Sequence, residues 1–425
     1  MADYPYYTEP THDTGASTTD ATRNTSTSSD EGRLIVDAVD KIFLLEPNKH
    51  PLVSLMTNVG RVYDGKSWKG SSLMKAATGN PEFKWFEDVY GGRYAKVAAV
   101  SGTTAALTLT VSGAGSSSAY IFTPGDVVRN ARTGENFVVN TVGSETTITV
   151  LENGRSWGTT AAATPTVGDG LFIVGNVNEE NASTRHVNST RTSSESNYTQ
   201  IFRTAFSVSG TEKAAKLYGG DDLPYMRAKK GTEHALDIER AFWFGEKKSG
   251  VGSSALTSGA GTPMRATGGI LEFLESGGSY VQNQGGALTA PDMNTFLREG
   301  FTYGNTTKML FAGGIVLQEI NEIARGQIQT KVGDSTYGIK ISEWQTAFGT
   351  VNIVHNPLFV EDYAGYAFLL DMDCYRYRYM DGRDTKLRTN IQSPDVDGQV
   401  DEYLTEAGLE RKQSPKHAIL KGVTA

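Results

Sequence analysis

The run from Leu369 to Val423 constrains this chain most. Tyr375, Tyr377 and Tyr379 alternate with Arg376 and Arg378, and that period of two predicts a strand. A break rich in Pro, Asp and Gly follows at Ser393–Gly398 and predicts a turn or hairpin tip. A second extended run covers Val400–Lys412, and a short apolar strand follows at Ala418–Val423. Charged and apolar residues interleave throughout, with no helical stripe. A polar hairpin of this length is not expected to bury itself. Its open edges and faces require a partner chain, so the expectation is a protein completed by its neighbours.

Composition narrows the classes. The chain has 425 residues, enough for two or three domains. Hydrophobic residues make up 38%, enough for packed cores, and no apolar run approaches the ~18 residues of a spanning helix. The N-terminal MADYPYYTEP lacks the basic-then-apolar pattern of a signal peptide. A single cysteine, Cys374, cannot form an intramolecular disulfide. Net charge is −8 without any basic block, which disfavours a dedicated nucleic-acid binder.

The order of segments is informative. Residues 1–32 are rich in Ser and Thr, and only Arg23 offsets six acids. Such a segment cannot bury enough apolar surface to order alone, and is expected to be a tail or an arm ordered against a neighbour. Arg33–Leu45 has near-helical spacing of Leu34, Ile35, Ala38, Ile42 and Leu45. Residues 61–96 look irregular and end in the strand-like PEFKWFEDVY. From Val97 to Val177 charges thin out. Five strands are predicted there: Thr103–Val111, Asp126–Asn130, Glu135–Val142, Thr146–Leu151 and Gly170–Val174. Turn signals separate them, so a small inserted barrel of about five strands is expected.

The longest predicted helix is Asp222–Lys247, with Asp221 or Asp222 as cap and Pro224 in its first turn. Ala228, Gly231, Ala235, Ile238 and Phe242 form its apolar stripe. The small residues at one end of that stripe allow a sheet to approach closely. Residues 263–371 read as mixed α/β: a strand at Thr307–Phe311, a helix at Ile315–Arg325, a hairpin of Ile339–Gln345 with Thr350–His355, and a buried strand at Tyr366–Asp371.

Few residues suggest chemistry. Gly60–Ser67 (GRVYDGKS) fits the phosphate-loop pattern, with Lys66 and Ser67 as the phosphate and magnesium contacts, and AFLLD at 367–371 resembles the strand that carries a metal-binding Asp. Such a loop must leave a buried strand and open a helix. Here LVSLMTNV is not clearly a strand, and WKGSSLMK is a poor first helical turn. The six histidines are scattered without zinc-ligand spacing. His234, beside Glu233, is expected to be solvated or at an interface. Asp371, Asp373 and Asp381 could hold a cation, but alternate carboxylates are more commonly a solvated face. Cys374 has no histidine nearby in sequence. The Tyr/Arg run could stack on bases, though Tyr and Arg also favour protein interfaces. Catalytic, cofactor and metal residues are therefore all expected to be absent.

The phrases PEFKWFEDVY (81–90), GDVVRNARTGENFVVNTV (125–142), GDGLFIVGNVNEE (168–180), SVSGTEKAAKLYG (207–219), LPYMRAKKGTEHALDIERAFWFG (223–245), MLFAGGIVLQEIN (309–321) and DGQVDEYLTEAGLERKQSPKHAILKG (397–422) follow one another in a telling order. The chain resembles the major capsid proteins of tailed bacteriophages, in particular the branch with a small β-domain inserted in the extended loop. The resemblance runs from about residue 33 to the end. It implies an α+β fold of N-terminal arm, extended loop, peripheral (P) domain with a long spine helix, and axial (A) domain. On it, residues 1–60 are the arm, 61–96 and 178–210 the extended loop, and 97–177 the inserted barrel. Residues 211–262 and 372–412 form the P domain, and 263–371 with 413–425 the A domain.

The resemblance further implies self-assembly into hexamers and pentamers of an icosahedral head in the host cytoplasm. The head encloses double-stranded DNA, touched non-specifically at the inner surface. Decoration, scaffolding and portal proteins are implied as further partners, and a membrane is not. It places the Gly60–Ser67 match at the arm-to-loop junction, where no nucleotide binds. It also places the hairpin tip at contacts between capsomers near local three-fold axes. Some relatives are cross-linked through Lys–Asn bonds or trimmed at the arm, and no cross-linking triad is legible here. Two other readings compete: another virion part, such as a tail-tube or adhesin protein, and a nucleotide hydrolase using Lys66 and Ser67.

Overall fold

The strand Gly398–Arg411 runs through the middle of a sheet and has partners on both edges. On one side it pairs antiparallel with Gln200–Ser209 along that strand's whole length, from Gln200 opposite Ala407 to Ser209 opposite Gly398. On the other it pairs with Tyr375–Met380, Tyr375 facing Arg411, and farther along with Lys386–Arg388. Lys75–Thr78 adds a parallel strand beside Tyr375–Met380. This corrects the expectation of an open polar hairpin. The hairpin forms, but a strand nearly two hundred residues earlier in the chain covers its edge, which local periodicity could not indicate.

The computed structural model describes residues 50–424 except 59–61, 64–67, 70–73, 91, 103–106, 113–117, 156–163, 186, 188, 216–220, 253–254, 328–330 and 333–340. The predicted helix at Arg33–Leu45 lies outside the described residues. Two compact units emerge: the chain up to Pro81 together with Tyr198 onward, and Glu82–Asn197.

In the first unit the helix Asp222–Phe244 lies on the five-stranded sheet and buries His234, Ile238, Glu239, Phe242 and Trp243. Gly231 is where the helix comes closest. A Cβ there would sit 3.3 Å from the Tyr403 hydroxyl, so a larger side chain would push helix and strand apart. The short helix Pro51–Asn58 inserts Leu52 and Met56 into the same core, beside Phe242, Trp243, Tyr377 and Leu409.

A second, seven-stranded sheet follows in the same unit. Its order is Tyr280–Gly286, Ala418–Val423, Ala367–Leu370, Thr307–Ala312, Thr350–His355, Ile341–Gln345 and Lys331–Val332. Alternation assigns its two faces. Phe311, Phe368 and Leu370 join Trp243 in the first core. Leu310, Ala367 and Leu369 face the other way, toward Phe296 and Val316 of the helices Ala290–Gly300 and Gly314–Gln327. The helix Ala290–Gly300 starts with a full capping box between Thr289 and Asp292.

The second unit contains a closed barrel. Its order is Gly170–Asn176, Tyr94–Gly102, Leu107–Ser112, Thr147–Val150, Asn136–Val142 and Asp126–Asn130. Six strands form it, not about five. The additional one, Tyr94–Gly102, begins inside the segment assigned by sequence to the extended loop. Only Ala95 and Val97 of that strand are buried, so its apolar alternation lasts a single period and is easily missed. Leu109, Val128, Phe137, Val139, Ile148 and Leu171 fill the interior. Outside the barrel, Glu82–Glu87 pairs with Ser193–Tyr198 as a two-stranded ribbon.

Candidate functional site

The most distinctive chemistry is a row of carboxylates on Gly398–Arg411. Residues of one parity, Tyr403, Thr405, Ala407 and Leu409, include the contacts to the long helix and the first core. The other parity presents Glu402, Glu406 and Glu410, all buried. Each meets cations from other segments. Glu402 is held by the fork of Arg203 on the neighbouring strand. Glu406 accepts from Thr199 Oγ1 and Arg265 Nη2, each at 3.1 Å, and lies 2.5 Å from Arg383 Nε. Glu410 pairs with Arg378 and, at 2.6 Å, with Lys412. At the end of the strand, Asp401 accepts from Arg227 Nη2 (2.7 Å) and from the backbone N–H of Asn390 (3.1 Å).

These carboxylates were expected on an exposed hairpin, as contacts between subunits. They lie inside the subunit instead. A sheet face can bury carboxylates when cations and donors on adjoining strands satisfy them. The Arg203 hydrogen bond holds Glu402 below the usual carboxylate range. Burial pushes Glu410 and Asp401 up, but their donors and cations more than offset it and both end lowered. Charged residues that remain exposed include Asp381, Lys386 and Arg388 ahead of the tip, and Asp395 and Asp397 within it.

Other polar residues also moved inward relative to expectation. His234 is buried, not solvated. Its Nδ1 lies 2.9 Å from Thr204 Oγ1 and its Nε2 2.7 Å from Thr405 Oγ1, and burial lowers its pKa. Two uncharged hydroxyl partners suit a neutral ring that ties the helix to two strands. Asp371 is buried rather than part of a solvated face, and accepts from the backbone N–H of Asn305 and Asp373. No cluster of three potential metal ligands occurs among the described residues. Burial pushes the Cys374 thiol up to about 11.

Two short connections run between the sheets, one from Leu370 to Tyr375 and one from Arg411 to Ala418. His417 fastens them together. Its Nδ1 accepts from Asp371 N–H and its Nε2 donates to the Lys412 carbonyl, both at 3.1 Å. Burial holds it down to about 4. Lys308, also buried, donates to the carbonyls of Gly300, Tyr303 and Lys416 at 2.5–2.7 Å, and burial lowers it to about 8.

The phosphate-loop match has the wrong surroundings. The helix Pro51–Asn58 precedes it, and Val62–Tyr63 pairs antiparallel with Trp68–Lys69 across it. Strand, loop and helix in that order are what phosphate binding requires. Lys66 and Ser67 themselves lie outside the described residues.

Sequence reasoning missed Glu239 and Lys308. Glu239 left a signal: it falls on the helix face of Ala235, Ile238, Phe242 and Trp243, where an acid is out of place. Lys308 left none, since one lysine at a strand end is ordinary.

In the second unit the notable surface is apolar. Phe86, Val89 and Tyr90 are exposed, at 74%, 62% and 102%, and so are Tyr94, Phe172 and Val174. The Tyr94 and Phe172 rings pack at a tilt with centroids 4.7 Å apart. Large aromatic groups held in water in this number are characteristic of protein-binding surfaces.

Residues 14–424 match the family model described as SU10 major capsid protein, and the chain belongs to that family. The major capsid protein of Pseudomonas phage PaMx41 is 25% identical over 281 residues, covering 62% of this chain and 64% of the relative. The match thus spans slightly less than two thirds of that relative's length. Among solved structures, the capsid asymmetric unit of Cyanophage A-1(L) is similar with a TM-score of 0.47 at 12% identity, covering 94% of this chain and all of its own. A structure from Microbacterium phage Oxtober96 has a TM-score of 0.46 at 10% identity, with 95% and 100% covered. The family assignment rests on the match along residues 14–424, not on these distant likenesses.

Proposed function

We propose that this chain is the shell-forming subunit of a phage head, and that it assembles as hexamers and pentamers around packaged double-stranded DNA. The observation that carries the reading beyond the family is the exposed apolar surface of Phe86, Val89, Tyr90, Tyr94, Phe172 and Val174. A subunit destined to stay alone would have little reason to keep it. Repeated in a closed ring, one copy's apolar surface can lie on a different surface of the next.

The segment roles follow as part of the proposal. Residues 1–60 act as the arm, 61–96 with 178–210 as the extended loop, and 97–177 as the inserted barrel that it carries. Residues 211–262 and 372–412 act as the P domain, and 263–371 with 413–425 as the A domain. The role is structural and not enzymatic, and the chain resides in the virion. Decoration, scaffolding and portal proteins are the further partners proposed. No helix among the described residues is long and apolar enough to cross a membrane. The tail-tube reading is disfavoured by the 23-residue helix and the mixed seven-stranded sheet, since a tube wall is built mainly from β-structure.

Electron microscopy of the expressed protein tests the proposal. Closed shells with five- and six-fold capsomers are expected. Tubes, or monomers persisting at high concentration, would overturn it.

A further inference from the structure

Glu239 is fully buried in the long helix, yet two of its three donors are backbone amides of another helix. Its Oε1 accepts from the Leu52 N–H at 2.9 Å and from Trp243 Nε1 at 3.0 Å. Its Oε2 accepts from the Val53 N–H at 2.6 Å. Leu52 and Val53 stand in the first turn of Pro51–Asn58, whose early amides have no partner within their own helix. A carboxylate from elsewhere in the chain therefore caps this helix. Pro51, at its first position, has no N–H to satisfy.

The rest of the contact is apolar. Leu52, Val53, Leu55 and Met56 are buried against the core that includes Ile238, Phe242 and Tyr377. The helix carries no charged side chain. His50, just before it, bonds Ser54 Oγ at 2.7 Å. On the long helix, Asp237 and Arg240 pair with each other in solvent. Tyr375, Tyr377 and Cys374 are the other titratable groups in this core, and burial raises all three, keeping them neutral. Glu239 is thus the one acid whose ionisation directly alters the seat of this helix among the described residues.

We propose that Glu239 is a proton-linked latch, whose ionisation sets how firmly the helix Pro51–Asn58 stays docked on the long helix. Two effects oppose each other at this carboxyl. Its three donors favour the charged form, and burial disfavours it more strongly. The outcome is a group raised to about 7 from an ordinary 4.5. When the helix leaves, water reaches the carboxyl and the ordinary value returns. The docked state therefore holds a proton that the undocked state releases. Docking is tightest below about pH 4.5, weakens as pH rises toward 7, and levels off above it. Across that window the docking constant falls on the order of 100-fold. The latch is part of the subunit's own fold and does not depend on the shell reading.

Hydrogen exchange on the full chain between pH 5 and 8, corrected for intrinsic rates, tests it. Amides of residues 52–58 are expected to lose protection tens-fold or more as pH rises, while barrel amides do not. Glu239→Gln is expected to abolish that pH dependence. Equal protection across the range, or an unchanged dependence in E239Q, would overturn the proposal. If E239Q fails to fold, the wild-type protein still decides. The Leu52 and Val53 amides and the Trp243 indole N–H must shift with one common midpoint near neutrality in an NMR titration. Three resonances that do not move together would also overturn it.

Discussion

The barrel and the five-stranded sheet weight apolar and ionic burial differently, although the barrel too buries Glu135 against Arg155 and Asp169 against Arg132. The barrel interior is aliphatic and aromatic, from Leu109 and Phe137 to Ile148 and Leu171. Its strands come from one contiguous stretch, Tyr94–Asn176. The sheet places four carboxylates on its central strand, and its partners come from residues as far apart as Lys75 and Arg411. Apolar burial tolerates small errors of position, because it scales with area and lacks direction. Ionic burial does not, because each charge needs its own counter-charge at bonding distance. The sheet should therefore depend on register and pH, and the barrel on volume.

The largest effect is expected where that dependence is attacked directly. Asp401→Lys buries a cation beside Arg227 and leaves the Asn390 amide without its acceptor. Removing one partner of a buried pair costs about 3–5 kcal/mol, and reversing its sign costs at least as much. The variant is expected to be insoluble, or to lose its cooperative transition in circular dichroism while barrel amides stay protected against exchange. A variant melting within a few degrees of wild type would mean the buried Asp401–Arg227 pair is dispensable.

A volume change in the barrel is the counterpart. Phe137 is fully buried among Leu109, Val128 and Ile148. Phe137→Ala is expected to cost about 3–5 kcal/mol through lost transfer energy and a cavity. Amides of Tyr94–Asn176 should lose protection while those of Gly398–Arg411 keep theirs. Equal loss in both regions would break the comparison, because the two would then unfold as one.

A smaller effect separates the regions by pH. His417 is held down to about 4 against an ordinary 6.5, so the folded state binds fewer protons than the unfolded one. Its contribution is whole above about pH 6.5 and is lost progressively as pH falls toward 4, by on the order of 2–3 kcal/mol. The lowered Glu402, Glu410 and Asp401 add losses of the same sign at lower pH, within the carboxylate range. Glu239 has the opposite sign between about 4.5 and 7, and its rise is of the same size as the fall at His417, so in the wild-type chain it offsets that contribution. Denaturant titrations of the Glu239→Gln variant, which lacks that opposing contribution, should show the first unit weakening from pH 7 to 4. His417→Asn should flatten the upper part of that fall. A Glu239→Gln first unit whose stability stays constant over this range would leave the clasp without a proton linkage.

How much was legible follows from the same contrast. Most elements with strong local periodicity could be read: the long helix, the strand Thr307–Ala312, the helix Gly314–Gln327, and both arms of the C-terminal hairpin. The barrel was legible as a composition shift, but not its sixth strand, because YAKVAAVSG alternates for only one period. The helix Ala290–Gly300 was overlooked although its Thr289–Asp292 cap stood in the sequence. The burial of Glu402, Glu406 and Glu410 was not legible at all. Nothing within several residues of a glutamate reports that Arg203 or Arg265 will lie opposite it. Polar core residues are specified by tertiary pairing, and a single sequence carries no direct mark of it.

The smallest expected effect on the fold returns to the hairpin tip. Asp395 is exposed, in the turn that precedes the strand Gly398–Arg411. Surface substitutions away from special features usually change stability within about ±0.5 kcal/mol. Asp395→Lys is therefore expected to leave the subunit's melting unchanged, in contrast to Asp401→Lys six residues on. Its interest lies in assembly. If the tip meets other capsomers, reversing its charge places like charges together wherever copies converge, and mismatched charge at an interface excludes partners more effectively than matched charge attracts them. Shell yield should then fall, most steeply at low salt, where screening is weakest. Normal shells with wild-type salt tolerance would confine the hairpin's role to the subunit interior, where its buried acids already hold the sheet together.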